Sequence, residues 1–340
     1  MWGIDISRVD LKSKERDEIE GFLEKFDLSL DKDVEYTICA RQNGEIVGTC
    51  SFSGRVLKCF AVREDMQGEG LSGKLITELT NVMFDRGIYE TFIFTKPKNK
   101  DIFKGLGYKV VEEAEDVVLL EGGTSNVKRY VENMFKRSGL DSSEKAALVI
   151  NCNPFTLGHR YLIERAAQEN DEVVVFVVEE DKSVFPFKVR LDLVKKGVSH
   201  LKNVKVIPGG YYIISSATFP SYFLKQKDKR LKAYTELDAR IFGKFIAKAF
   251  NIKKRYVGTE PYCPVTWDYN RALMEILPKF GVDVKLVERM TICDKPVSAS
   301  YVRELIKEGK MEEVKRLVPK TTYDFLISDE AKDIIERIKG

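Results

Sequence analysis

The chain has 340 residues, 44% of them hydrophobic and 32% charged, which is material for two cores and excludes both a disordered chain and a small cross-linked scaffold. Lys and Arg number 56 against 53 Asp and Glu, a net charge of +3 that gives no reason to expect nucleic-acid binding. The N-terminus lacks an apolar stretch of signal-peptide length and no window reaches the length of a membrane span, so a cytoplasmic protein without membrane contact is expected.

Six cysteines (Cys39, Cys50, Cys59, Cys152, Cys263 and Cys293) are scattered without a C-x-x-C pair. Several sit in apolar runs and read as buried free thiols of a reducing compartment. The only two histidines are His159 and His200, which excludes an H-E-x-x-H site and a three-histidine zinc site.

In chain order, residues 11–26 carry the apolar spacing of an amphipathic helix. Strand-like runs follow at 34–40, 45–52 and 55–62, separated by Asn43-Gly44 and Ser53-Gly54, and predict an antiparallel meander. A glycine-rich loop holding Gln67, Gly68 and Gly70 leads into a helix over 71–86 that includes Ser72. Open backbone N–H groups at such a helix start suit a pyrophosphate, and a plain glycine-rich turn fits the loop equally well. A strand over 88–95, a short helix over 99–106 and a strand over 108–112 complete this half.

That order, with Gln67, Gly70, Ser72, Asn99, Phe103, Gly107 and Tyr108 at their places, resembles the GNAT acetyltransferase family over residues 1–122. The resemblance implies an α+β domain that binds acetyl-CoA, with the pyrophosphate on the loop and the pantetheine arm in a splayed gap between strands. Phe103 stands where many members carry a tyrosine that protonates the leaving thiolate, and phenylalanine cannot donate a proton. A domain that holds a CoA-like arm is therefore expected rather than one that acetylates an amine.

Residues 123–145 read as a linker containing a helix over 127–137. Residues 146–340 then alternate strand and helix, with strands at 147–150, 172–178, 204–207, 255–258 and 284–288. Helices are expected near 158–170, 187–200, 234–250 and 269–280. This predicts a doubly wound, Rossmann-like α/β domain with parallel strands and its ligand site at their carboxyl ends.

The first of these strands runs into Asn153-Pro154-Phe155-Thr156-Leu157-Gly158-His159, which places His159 in the first turn of a helix, with Gly158 admitting a ligand to the backbone. Alone, such a histidine reads more readily as a cap or a packing residue than as a phosphate contact. The string resembles the HxGH motif of the nucleotidyltransferase superfamily in its T-x-G-H form, which phosphopantetheine adenylyltransferases also carry. A second stretch, VSASYVR at 297–303, matches that superfamily's serine-rich motif ending in arginine. Ser298, Ser300 and Arg303 would grip phosphates there, and a plain serine cap is the alternative. Lys182, Lys188 and Arg190 are further phosphate candidates, with a solvated surface as the equal reading. Gly258, Thr259 and Glu260 occupy a loop where many relatives place an arginine, and Tyr269-Asn270 is read as opening the next helix.

The strings NPFTLGH, FPFKVRLDLVKKG, VGTEP and VSASYVR, behind a GNAT-like half, resemble the citrate lyase ligase family over essentially the whole chain. The resemblance implies ATP- and Mg²⁺-dependent acetylation of a thiol on the CoA-like prosthetic group of the citrate lyase acyl carrier subunit. Acetate would pass through acetyl-adenylate, releasing AMP and pyrophosphate. His159 and Thr156 would stabilise the α- and β-phosphates, while Ser298, Ser300 and Arg303, with Lys182 or Lys188, would hold pyrophosphate. The rival readings are an adenylyltransferase for a pantetheine phosphate or nucleotide fused to a working acetyltransferase, and a non-enzymatic acyl-CoA sensor.

Overall fold

The computed structural model describes residues 3–179, 182–213, 227–259, 264–293 and 295–340. Two compact units emerge, one of residues 1–130 with 220–233 and the other of 131–219 with 234–340.

In the first unit, β1 (Ile4–Arg8) and α1 (Glu15–Glu24) precede the meander of β2 (Tyr36–Gln42), β3 (Glu45–Ser53) and β4 (Val56–Val62). Next come α2 (Leu71–Asp85), β5 (Glu90–Thr95), α3 (Lys100–Gly105), β6 (Lys109–Glu113) and β7 (Val118–Gly123). The sheet order is β1-β2-β3-β4-β5-β7-β6. Sequence reading missed β1, a five-residue edge strand, and β7, whose first four residues are all buried and so carry no alternating signal.

Helix α2 buries Leu71, Leu75, Ile76, Leu79 and Met83 against the sheet. Gly48 on β3 makes room for it, since a Cβ there would stand 2.8 Å from Leu75 Cδ1. Strands β4 and β5 run parallel but pair only at Val56–Phe92 and Leu57–Ile93. Past that point Cys59 takes a left-handed φ of 50° where the register of β4 on β3 shifts. A bulge re-aims its strand, and here it opens the gap between β4 and β5 beside the α2 loop.

The segment expected as a linker contains α4 (Val127–Ser138). The second unit then continues with β8 (Lys145–Ile150), α5 (Leu157–Gln168), β9 (Val173–Val177), α6 (Phe187–Gly197) and β10 (Val204–Pro208). Helix α7 (Lys227–Ile241) runs through a π-helical stretch, Phe242–Ala247, into α8 (Lys248–Phe250), so it starts earlier than the sequence reading placed it. After β11 (Ile252–Gly258) come α9 (Pro264–Ile276), β12 (Asp283–Val287), the short pair β13 (Thr291–Ile292) and β14 (Lys295–Pro296), and α10 (Ala299–Lys307). Helices α11 (Met311–Lys315), α12 (Lys320–Leu326) and α13 (Lys332–Lys339) end the chain.

The five main strands are all parallel in the order β10-β9-β8-β11-β12. Chain direction across the sheet reverses between β8 and β11, and in such sheets ligands bind outside the carboxyl ends at that point. Every residue of β9 is buried, as a strand covered on both faces requires. Of the cysteines, Cys39, Cys50, Cys59 and Cys152 are buried free thiols, Cys293 is an exposed free thiol, and Cys263 lies outside the described residues.

Candidate functional site

A cleft of about 260 Å³ opens between the carboxyl ends of β8 and β11, lined among others by Thr156, Gly158, His159, Arg255, Gly258, Tyr269, Asn270 and Arg289. It lies at the switch point of the sheet and is slightly smaller than the usual range for ligand pockets. A larger polar hollow at the opposite strand ends is lined by residues such as Lys145, Asn170 and Lys254 and holds none of the motif residues.

The T-x-G-H string starts α5 with a reciprocal cap. Thr156 Oγ1 accepts the His159 backbone N–H at 3.4 Å, and the Thr156 backbone N–H is donated to His159 Nδ1 at 3.1 Å. The threonine hydroxyl lies 2.9 Å from the same Nδ1. A nitrogen that accepts a backbone N–H carries no proton, so the neutral ring bears its hydrogen on Nε2. Burial pushes the imidazole down to about 4, and the Arg289 charge adds to the effect. At neutral pH, His159 is therefore an uncharged hydrogen-bond donor. The Leu157 N–H is spent on Leu317 O at 2.9 Å, so this helix start offers fewer open amides than its sequence implied.

Gly158 lines the cleft and has a second reason beside the expected one. A Cβ there would stand 2.7 Å from the Val297 carbonyl oxygen, so the glycine lets the start of α5 pack against the strand leading into α10. Arg303 closes the same junction, donating to the Asn153 carbonyl oxygen and, at 3.1 Å, to Ser300 Oγ. Ser298 caps α10 by accepting the Tyr301 N–H at 3.1 Å. The two motifs thus meet, with Val297 in the cleft wall and Ser298, Ser300 and Arg303 following it outside the lining.

Arg190 corrects an expectation. It is fully buried, and its guanidinium donates to the carbonyl oxygens of Phe185, Asn151 and Val178 and to Asn151 Oδ1, all within 2.7–2.9 Å. It fastens the loop above β8 and β9 rather than facing a phosphate. Phe155 is likewise buried, against the α6 residue Gly197, and Asn153 Oδ1 accepts the Phe185 N–H. Pro154 is buried in the same loop, while Lys182 and Lys188 are exposed and outside the cleft lining. Gly258 O accepts from the Asn270 side chain at 2.9 Å, and Tyr269 and Asn270 sit in the second turn of α9 instead of opening it. Thr259 bonds Val287 O through its N–H and accepts the Arg289 N–H at 3.2 Å. Glu260 lies outside the described residues.

Sequence reasoning missed Arg289. It follows β12, not β11, yet the Thr259 bond brings the two loops together and the arginine lines the cleft. It also missed Arg255, whose only signal was a charge inside a strand. Arg255 is 2% exposed and its guanidinium lies 4.3 Å over the Phe242 ring. Nη2 donates to Tyr269 Oη at 2.9 Å, and Tyr269 donates to Asp238 Oδ2 at 2.6 Å. Among the described residues, Nε and Nη1 are buried without a partner, a state that costs about 1–3 kcal/mol or more for a charged group.

In the first unit, Gln67, Gly68 and Gly70 are exposed between β4 and α2. Gly68 and Gly70 take φ values of 85° and 78°, and α2 starts on Gly70 without a side-chain cap, Ser72 following in its first turn. Gln67 folds back, its Nε2 donating to Val62 O at 3.4 Å. Phe103 is buried edge-on to Phe60 at 5.4 Å. The nearby Tyr108 hydroxyl pairs with Thr91 at 2.9 Å and is pushed up to about 12 by burial, so it does not replace the missing tyrosine.

Comparison with known proteins agrees with both halves. The family model for the citrate lyase ligase C-terminal domain matches residues 145–326, and that for the GNAT acetyltransferase family matches residues 5–108. The chain is 40% identical over 331 residues to the citrate (pro-3S)-lyase ligase of Klebsiella pneumoniae, covering 95% of this chain and 96% of that one. It is 37% identical over 334 residues to the ligase of the same name from Escherichia coli K12, covering 96% and 95%. A phosphopantetheine adenylyltransferase from Clostridium botulinum is 27% identical over 171 residues, 49% of this chain and 86% of that one. A GNAT-type domain, a nucleotidyltransferase-type parallel sheet and near-complete coverage of named ligases lead to one conclusion: this chain is an enzyme of the citrate lyase ligase family.

Proposed function

We propose that the protein acetylates the thiol of the citrate lyase carrier's CoA-like prosthetic group, with ATP as the activating substrate and acetyl-adenylate as the intermediate. The observation that carries this reading is the meeting of the two helix starts at the switch-point cleft, with a neutral His159 beside them.

In the first step an acetate oxygen forms a bond to the α-phosphorus, the bond to the bridging oxygen breaks, and its electron pair leaves with pyrophosphate. Acetate is already an anion, so no base is required, and positioning with charge stabilisation carries the step. His159 Nε2–H suits the developing charge on the α- and β-phosphate oxygens, and its low pKa keeps the proton in place as a donated hydrogen bond. Arg289 supplies the cation that relatives carry on the loop after the fourth strand. Arg303 and Ser300 fit the leaving pyrophosphate, with Thr156 and Ser298 setting the two helix starts. Mg²⁺ would arrive on the triphosphate, since it dehydrates reluctantly and is commonly held by phosphates. The donor set around the cleft, amides and cations without a carboxylate cluster among the described residues, fits a metal brought that way.

In the second step the prosthetic thiol gives its proton to water, the thiolate attacks the acetyl carbonyl carbon, the bond to AMP oxygen breaks, and AMP departs with the electron pair. The open loop at Gly68 and Gly70, with the β4–β5 gap, suits the pyrophosphate and arm of that group.

ATP–pyrophosphate exchange, measured with and without acetate and without carrier, tests the reading. Exchange that depends on acetate supports it. Exchange that is indifferent to acetate would favour nucleotide transfer to a phosphate acceptor and overturn it.

A further inference from the structure

Arg255 is a cation the first step does not use. We infer that its guanidinium, held by Tyr269 and Asp238, is the seat for the carboxylate of the small acid substrate. This rests on the reading that an acid is activated in this cleft, and it adds where that acid sits.

Three observations converge on it. Arg255 and Tyr269 line the same cleft as His159, so a group bound on the arginine shares a chamber with the proposed reaction. The guanidinium spends one nitrogen on Tyr269, and Asp238 stands 4.0 Å away while taking the shorter Tyr269 bond, so among the described residues nothing takes up the donors on Nε and Nη1. A planar guanidinium with unspent donors matches a planar carboxylate, which accepts through both oxygens. The Phe242 ring beneath it and the apolar Val149 and Val257 of the cleft wall offer a methyl-sized tail a dry surface. The small volume, shared with a nucleotide, selects a short acid by size.

Phe242 also opens the π-helical stretch of the long helix, and Tyr234 stacks on Tyr269 at 5.6 Å. The arginine is thus fixed in position by a ring below and a tyrosine at its edge. It acts as a binding residue for the acid, leaving phosphate contacts to the helix starts.

The test uses the full chain with Arg255→Gln and Arg255→Lys, reading acetate-dependent ATP–pyrophosphate exchange against acetate and, separately, against ATP. The glutamine variant should raise the KM for acetate roughly 10- to 100-fold, the scale of losing charge-assisted hydrogen bonds, with the KM for ATP within about twofold of wild type. The lysine variant, which keeps the charge, should lie between the two and covers the case in which the glutamine variant fails to fold. An unchanged acetate KM in both variants overturns the inference. A selective rise in the ATP KM overturns it too and assigns the arginine to the nucleotide. A joint fall in melting temperature, kcat and both affinities, with no selective acetate effect in the lysine variant, reduces Arg255 to a structural ion pair and also overturns it. Absence of acetate-dependent exchange in the wild type is a separate failure, that of the functional reading itself.

Discussion

The protein turns a strand into a helix twice at its candidate sites, and the two turns are built in opposite ways. Between β4 and α2 the loop is open: Gly68 and Gly70 take left-handed φ values, the residues are exposed, and no side chain caps the helix. Between β8 and α5 the loop is closed down. Thr156 and His159 cap each other, Leu157 is bonded to Leu317, and the buried Arg190 gathers three carbonyls beneath. An open turn leaves backbone amides for a ligand's phosphates. A closed turn consumes its amides to fix a side chain, and what it presents is one aimed donor. The first design suits holding and the second suits chemistry.

Replacing the aimed donor is the harshest way to break that contrast. His159→Ala should lower acetate-dependent exchange roughly 100- to 1000-fold, the scale of losing one transition-state donor, with an unchanged circular dichroism spectrum. Near-wild-type exchange would remove the residue from the reaction. Gly158→Ala should come next. Its Cβ would stand 2.7 Å from the Val297 oxygen, so denaturant melts should show a loss of about 1–3 kcal/mol together with reduced exchange. A fully active, fully stable variant would mean that the two motifs do not rely on their close approach.

The open turn should respond differently. Gly70→Val forces a branched side chain into a φ of 78°, at a local cost of about 1–2 kcal/mol. Acetylation of the carrier should weaken while carrier-free exchange continues unchanged. Equal loss of both would dissolve the division of labour between the turns. The smallest effect concerns pH. His159 is held down at about 4 in the folded chain, below its unfolded value near 6.5, so the unfolded chain takes up its proton first as pH falls. Stability from this residue is complete above about pH 6.5 and drains away towards pH 4. Urea titrations between these limits should show a shallower acid slope in His159→Gln than in the wild type, and exchange by the wild type should show no inflection from this ring between about pH 6 and 8.

Much of this was legible in the residues because it was local. Continuous apolar runs gave the buried parallel strands, and the T-x-G-H and VSASYVR strings gave both helix starts with their caps. What escaped depended on contacts between distant segments. Arg190 reads equally as a phosphate contact or as solvated surface, and only the fold wraps it in carbonyls. Arg289 stands outside the expected loop and enters the cleft because Thr259 ties two loops together. Gly158 was read as room for a ligand, and its close approach to Val297, far along the chain, had no local signal. β7 lacked alternation because it is buried on both faces, and Arg255 in mid-strand looked like an ordinary charge until Phe242, Tyr269 and Asp238 enclosed it.

The junction of Gly158 with Val297 and of Arg303 with Asn153 has a thermodynamic consequence. It joins distant segments of the second unit, so a ligand that touches both helix starts binds only when those segments are docked. Such a ligand acts as a reversible cross-link and shifts the unfolding equilibrium by mass action, by about 2.7 kcal/mol at a concentration one hundred times its Kd. The same linkage makes the melting temperature of the second unit a direct gauge of ligand occupancy, readable without any turnover.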